Sequence, residues 1–276
     1  MRLAYSTNAF RRFTLEETLR MVAELGFDAV EIAADVPHLW PGNERSGRLE
    51  ELRGLLDRLG LTVSNVNAFT MFYCGDMQHP SWIEEHEELR DMRLRHTLHA
   101  LEVAAGLGAA SVSTQPGGPL PEGLSRGRAL ARFVDGLRAA APAAGRLGVK
   151  ILVEPEPNLL IENSAQFLEF WDAAGDVRDV LGLNFDAGHF VCAGEAPCDA
   201  LASLGRLVEH VHVEDIKGRR HHHLVPGEGE MDYEAFFAAL AETGYDGYVS
   251  LELYTYQHDP AGAGARGLEV LRRYVG

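Results

Sequence analysis

The sequence predicts a single (β/α)8 barrel spanning residues 1–276, and three observations predict it. Short apolar runs alternate with amphipathic stretches in eight successive units. Those runs are apolar almost throughout, as strands buried on both faces of a parallel sheet must be. The chain also has the right length, since a closed barrel of this kind takes about 250 residues. A doubly wound open sheet is the runner-up. Against it, no G-x-G-x-x-G follows the first strand and no P-loop occurs anywhere. No linker rich in Pro, Gly or Ser divides the chain.

Each element has its own signal. Arg2–Ser6 reads as the first strand. Thr14 with Glu17 three residues on reads as a capping box, followed by Leu19, Val22 and Leu25 at helical spacing and stopped by Gly26. Ala29–Ala33 is strand two, 45–59 a helix ending at Gly60, and Leu61–Asn67 strand three. A long loop leads to a helix over 81–106, then strand four at Ala109–Thr114 and the QPGGP turn. Residues 123–147 form a helix with Pro142 as its kink point. The second half repeats the rhythm: Val149–Glu154, helix Ser164–Ala174, Val180–Asp186, short helix 197–204, Leu207–Val213, helix Tyr233–Thr243, Gly247–Leu253 and helix 261–274.

Composition narrows the class. With 41 acidic against 25 basic residues, the net charge is −16, which repels nucleic acid and anionic membranes at long range. Three cysteines without CxxC spacing argue against a disulfide scaffold and for a reduced compartment. The N-terminus lacks a signal-type apolar region, and no apolar run reaches membrane-spanning length. The expectation is a cytoplasmic protein with no nucleic-acid or membrane partner.

The chemistry concentrates at strand ends, the rim on which barrel active sites are built. The runs LVEPEPN, GLNFDAGHF, HVHVEDIK and VSLELY each end in metal-ligand types. They offer Glu154, Asp186, a histidine of the HVH pair and Glu252 on four successive strands. HVHVEDIK alternates as one strand, so spacing leaves His210 and His212 equivalent. Carboxylates with one imidazole suit Mn²⁺, Co²⁺, Mg²⁺ or Zn²⁺ more than a thiophilic ion. Tyr5, Asn8, Phe10, His38, Trp40, Asn67 and Phe72, near early strand ends, are candidates for a pocket wall or for plain loop and core packing. Arg11, Arg12, Arg219 or Arg220 could serve a phosphate.

Taken together, LGFDAVEI, Glu154 in VEPEPN, NFDAGH, HVHVED, HHHLVPGEGEMDY and Glu252 in VSLEL resemble the xylose isomerase-like TIM-barrel superfamily over essentially the whole chain. That superfamily holds sugar isomerases and epimerases together with endonuclease IV. The resemblance implies one divalent metal, Mn²⁺ first, on Glu154, Asp186, His212 and Glu252, and so selects His212. It implies that Glu154 and Glu252 also exchange protons with a substrate carbon through a metal-stabilised enediolate, as in ketose 3-epimerases. It places His189 and His223 at the substrate. Arg219 is a substrate-clamp candidate, one residue further from its histidine than in the epimerases. Those enzymes carry a further Glu where this chain has Leu160, and Glu156 or Glu162 could substitute. His221-x-His223 stands where endonuclease IV-like chains carry Asp-x-His for an extra metal, so His189, His221 and His223 could hold a second ion or bind substrate hydroxyls.

The expected activity is therefore that of a sugar isomerase or epimerase on a small sugar-like substrate, in a dimer or tetramer as is common in the family. An inosose dehydratase-like lyase is the nearest alternative. A non-catalytic sugar-binding protein is another. An endonuclease IV-like phosphodiesterase is disfavoured by the acidity and by Asn67 and Gln115, which stand where that family carries histidines.

Overall fold

In the computed structural model, which describes residues 1–275, eight parallel strands close on themselves. They are β1 (Arg2–Ser6), β2 (Ala29–Ala33), β3 (Thr62–Asn67), β4 (Ser111–Thr114), β5 (Lys150–Val153), β6 (Leu181–Asp186), β7 (Val208–Val213) and β10 (Tyr248–Leu251). The order around the barrel is β1-β10-β7-β6-β5-β4-β3-β2, so sequence neighbours are spatial neighbours and β10 seals the ring against β1. The intervening helices cover the outside: α1 (Leu15–Leu25), α2 (Arg48–Leu59), α3 (Glu87–Leu107), α4 (Arg126–Leu147), α5 (Ser164–Ala173), α6 (Ala187–Ala193), α7 (Pro197–Leu204), α8 (Tyr233–Glu242) and α9 (Pro260–Leu271). The expected single (β/α)8 TIM barrel is the fold.

Local chemistry sets the helix limits. Thr14 and Glu17 form the reciprocal capping box, and Gly26 at φ 88° ends α1 in the left-handed region. α4 runs through Pro142. α3 starts at Glu87 rather than 81. Trp82 explains this: it is buried, and its Nε1–H donates to Thr114 Oγ1 at 2.9 Å while its backbone N–H donates to Gly117 O. Docking that ring onto the end of β4 holds residues 81–86 out of the helix.

Two features depart from the expected unit. HVHVEDIK is not one strand. β7 ends at Val213, and Asp215–Lys217 (β8) folds back on Arg220–Leu224 (β9) as an antiparallel hairpin around Gly218. Asp215 stabilises the return, accepting from the N–H groups of Ile216, Gly227 and Met231. The second feature is α6, which begins immediately after β6. Asp186 caps it by accepting the His189 N–H at 2.8 Å. Among the described residues, no helix is long and apolar enough to cross a membrane.

Candidate active site

Four side chains meet inside one end of the barrel. Asp186 is the last residue of β6, and His212 faces it across the β6–β7 register. Glu154 follows β5, and Glu252 follows β10. Their backbone N–H groups continue the ladders to Thr114 O and Val213 O. All four are buried, and one ligand atom from each lies within 4.8 Å of every other. His212 Nδ1 stands 3.1 Å from Glu154 Oε1, 3.6 Å from Glu252 Oε2 and 3.8 Å from Asp186 Oδ2.

The two glutamates are held alike. Asn184 Nδ2 donates to Glu154 Oε2 at 2.8 Å, and Asn8 Nδ2 donates to Glu252 Oε1 at 2.8 Å. Each amide fixes one oxygen and leaves the other aimed at the shared centre. Asp186 repeats the pattern: Oδ1 caps α6, while Oδ2 is buried with no hydrogen-bond partner. A buried, unpartnered carboxylate oxygen beside two others is costly unless a cation balances it. Three oxygens and one imidazole nitrogen around one point fit a divalent ion.

The electrostatics agree. Burial alone would lower the His212 pKa, but Glu31, Glu252 and Glu154 outweigh it and hold it well above the ordinary range. A positive charge belongs at this spot, carried by a proton or by an ion. Burial, with the Glu154 and Asp186 carboxylates, pushes Glu252 up to about 8 against the pull of His212. Burial likewise raises Glu154.

His210 plays a different part. Its Nδ1 pairs with Asn184 Oδ1 and its Nε2 with Ser250 Oγ, both at 2.9 Å, and burial lowers its pKa to about 3. It is a neutral link that orients Asn184. His212 is held from behind by Glu31 of β2, whose Oε1 accepts from His212 Nε2 at 2.7 Å and from Asn65 Nδ2 at 2.9 Å. A carboxylate on Nε2–H directs the Nδ1 lone pair of a neutral imidazole to the shared centre.

A second group borders the first. His189 donates Nδ1–H to Pro155 O and His223 donates Nδ1–H to Glu252 O, each at 2.9 Å. Their Nε2 atoms converge on His221 Nε2, at 3.0 and 2.6 Å. Glu156 Oε2 lies 3.0 Å from His189 Nε2, and its Oε1 lies 3.5 Å from His221 Nδ1. His223 has φ 45°, a left-handed backbone unusual for histidine, which turns its ring inward from β9. Burial keeps His223 well below its ordinary pKa; at His189, Asp186 and Glu156 overcome burial and keep it well above.

Both groups open on a cavity of about 230 Å³. Glu154, Glu252, Glu156, His189, His221 and His223 line it, whereas Asp186 and His212 lie beneath, fully covered. Of the wall candidates, Asn8, Asn67 and Phe72 reach the cavity. Tyr5 and Phe10 belong to the core, with the Tyr5 hydroxyl on Pro260 O. His38 is tied to Phe10 O, and Trp40 stacks on Tyr73 and His96. Arg219, the clamp candidate, lies outside the cavity lining. It sits exposed at the hairpin tip, packed toward Gly194, because the chain reverses at Gly218.

Sequence reasoning passed over Glu31 and Tyr254. Glu31 had a signal, a lone carboxylate in the apolar run AVEIA. Tyr254, two residues past Glu252, packs 4.4 Å from the His223 ring and also lines the cavity. Glu214, in the HVHVED string, is fully buried against Asp186 and His223. Gly188 makes room for it: a Cβ there would lie 1.6 Å from Glu214 Oε1.

Comparison with known proteins identifies the family and supports the fold. The family model described as xylose isomerase-like TIM barrel matches residues 19–274. The chain is 25% identical to fructoselysine 3-epimerase of Escherichia coli O157:H7, covering 99% of this chain and 98% of that protein. It is 28% identical to 2-oxo-tetronate isomerase of Haemophilus influenzae, covering 97% and 96%. Among solved structures, a D-tagatose 3-epimerase-like protein superposes with a TM-score of 0.81 at 25% identity, covering 99% of this chain and 97% of that one.

Proposed function

This chain belongs to the xylose isomerase-like TIM-barrel family, and from that premise we propose that it is a divalent-metal-dependent isomerase or epimerase. Its substrate is a sugar or a related small polyhydroxy carbonyl compound. One observation carries the reading. Glu154 and Glu252 border the cavity from β5 and β10, on either side of the buried Asp186 and His212. Two carboxylates facing one small cavity from opposite flanks suit removal of a proton from one face of a carbon and return to the other. That the similar proteins carry the names of a 3-epimerase and an isomerase supports the same chemistry.

Glu154, Asp186, His212 and Glu252 would hold the ion, with Mn²⁺ first and Co²⁺, Mg²⁺ or Zn²⁺ as alternatives. When bound, such an ion polarises a carbonyl and offsets negative charge beside it, which makes the neighbouring C–H more acidic. The chain's own residues do the rest. Glu154 and Glu252 exchange the proton, and their acid and base roles swap with the direction of reaction. Asn184 and Asn8 keep the two carboxylates oriented. His189 and His223 address substrate oxygens, Glu156 orients His189, and Tyr254 closes the wall beside them.

The convergence of three Nε2 atoms favours a second reading for His189, His221 and His223. With Glu156 nearby they hold a further cation, since two of these rings have their Nδ1–H committed to backbone carbonyls. Metal analysis decides this. Two equivalents per chain, falling to one in His221→Ala, support the second ion; one equivalent in both chains rejects it.

The test of the main proposal is a screen of keto sugars and inososes with added metal in D₂O, followed by NMR and mass spectrometry. Deuterium entering next to the carbonyl with no loss of mass other than exchange is the expected result. Loss of water would instead assign a lyase that begins with the same proton abstraction. No exchange with any compound, together with incision of abasic-site DNA, would overturn the proposal.

A further inference from the structure

Nothing in the carboxylate and histidine groups accounts for Arg11. It follows β1 after the short turn Thr7–Phe10, is half-buried, and lines the same cavity as Glu154, Glu252 and His223. Among the described residues it is the one lysine or arginine in that lining. Arg12, Arg219 and Arg220, the other basic residues considered for phosphate, are exposed and absent from it.

The guanidinium is held by a ring rather than by a carboxylate. Its central carbon lies 3.6 Å from the centroid of Phe72. A stacked guanidinium keeps its N–H edge available while its plane is fixed. The platform is itself anchored. Buried Asp35 accepts the N–H groups of Phe72 and Tyr73 and the Thr70 hydroxyl. Fully buried Arg93 donates to the carbonyls of Ala68, Phe69 and Pro80 at 2.9 to 3.1 Å. Two buried charges, both paired through several hydrogen bonds, thus clip the segment that presents Phe72.

A neutral polyol does not need a fixed cation. An anionic compound entering a cavity bordered by Glu154, Glu156 and Glu252, on a chain of net charge −16, does. We propose that Arg11, stacked on Phe72, is the seat for an anionic group of the substrate, a carboxylate or a phosphate. The substrate class is then a polyhydroxy carbonyl acid or phosphate rather than a neutral sugar. This deepens the isomerase reading and rests on it for the word substrate, but the anion seat stands or falls by binding alone.

The experiment uses three six-carbon ketoses that differ in charge: D-fructose, D-fructose 6-phosphate and 5-keto-D-gluconate. Binding to the metal-loaded protein is measured by calorimetry, and deuterium uptake by NMR, for wild type and for Arg11→Gln and Arg11→Lys. We expect at least one charged compound to bind about tenfold or more tightly than fructose. The preference should collapse in Arg11→Gln and partly survive in Arg11→Lys, with unchanged thermal melts. Which charged compound wins separates carboxylate from phosphate. A preference that persists in Arg11→Gln, or no preference in wild type, including no binding by any of the three, overturns the seat. A preference lost in Arg11→Gln without deuterium uptake by any compound would remove the isomerase reading and leave the seat standing. Uptake with fructose alone, unaffected by Arg11→Gln, would do the reverse.

Discussion

The barrel has two unlike arcs. Along β5, β6, β7 and β10 every strand delivers one ligand-type side chain at or beside its end: Glu154, Asp186, His212 and Glu252. Along β1 to β4 the strand ends carry no ionisable side chain. There the strand ends add only Ala33 and Asn67 to the wall, and the rest comes from the segments that follow, through Asn8, Arg11, Phe69, Thr70 and Phe72. The difference teaches how the scaffold divides its labour. Strand ends are rigid and mutually registered, so they hold groups that must meet within a few ångströms. Loops can vary without disturbing that register, so they suit recognition of the substrate. Several contacts join the arcs: Glu31 of β2 reaches His212 of β7, Ser64 of β3 meets Ser250 of β10, and Asn8 holds Glu252.

The largest expected effect tests the first arc as a unit. Chelation should abolish turnover, and Mn²⁺ or a similar ion should restore it. His212→Ala should leave the chain folded but unable to retain stoichiometric metal on titration. Turnover that survives exhaustive chelation would separate this arc from the chemistry.

The Glu31 contact behind His212 comes next. Glu31→Leu should weaken metal affinity by about 10–100-fold, the usual cost of losing a partner behind a ligating histidine. Glu31→Gln keeps an acceptor and should cost less. Equal metal affinity in wild type and Glu31→Leu, by calorimetry, would mean that Glu31 does not support the ligand.

Gly188→Ala probes how tightly the floor of the first arc is packed. The new methyl would collide with Glu214, and overpacking of this kind costs about 1–3 kcal/mol. A lowered melting temperature is expected, with recovery in a Glu214→Ala background. The smallest effect belongs to the second arc. Phe72→Leu should loosen Arg11 and weaken binding of a charged ketose by a few fold, since such stacking is worth about 0.5–1 kcal/mol at exposed sites. Neutral ligands should not respond.

The same contrast explains what could be read from the sequence. The eight strands and the first arc were legible because each ligand interrupts or ends an apolar run, and burying a carboxylate there needs a reason. The second arc was not. Asn8 and Phe72 could be proposed for the wall only beside Tyr5 and Phe10, which the fold sends into the core. The direction of Phe72 depends on a loop path that Asp35 and Arg93, distant in sequence, hold in place. Arg219 could not be placed from its spacing to His212, because the chain turns into a hairpin after Val213. The seven-residue α6 is too short to display a period, and only Asp186 marks its start. Glu31 needed knowledge of which strand lies across the barrel.

The central claim is that Glu154 and Glu252 exchange the proton from opposite flanks of the cavity. The most direct measurement is deuterium uptake into an accepted ketose by metal-loaded wild type, Glu154→Gln and Glu252→Gln, each started from either product epimer or isomer. Metal content should be matched by analysis. The account predicts that each variant loses net conversion by roughly 10²–10⁴-fold. It also predicts residual uptake from one starting compound only, the opposite one in each variant. Conversion near the wild-type rate in either variant, at equal metal content, would contradict it.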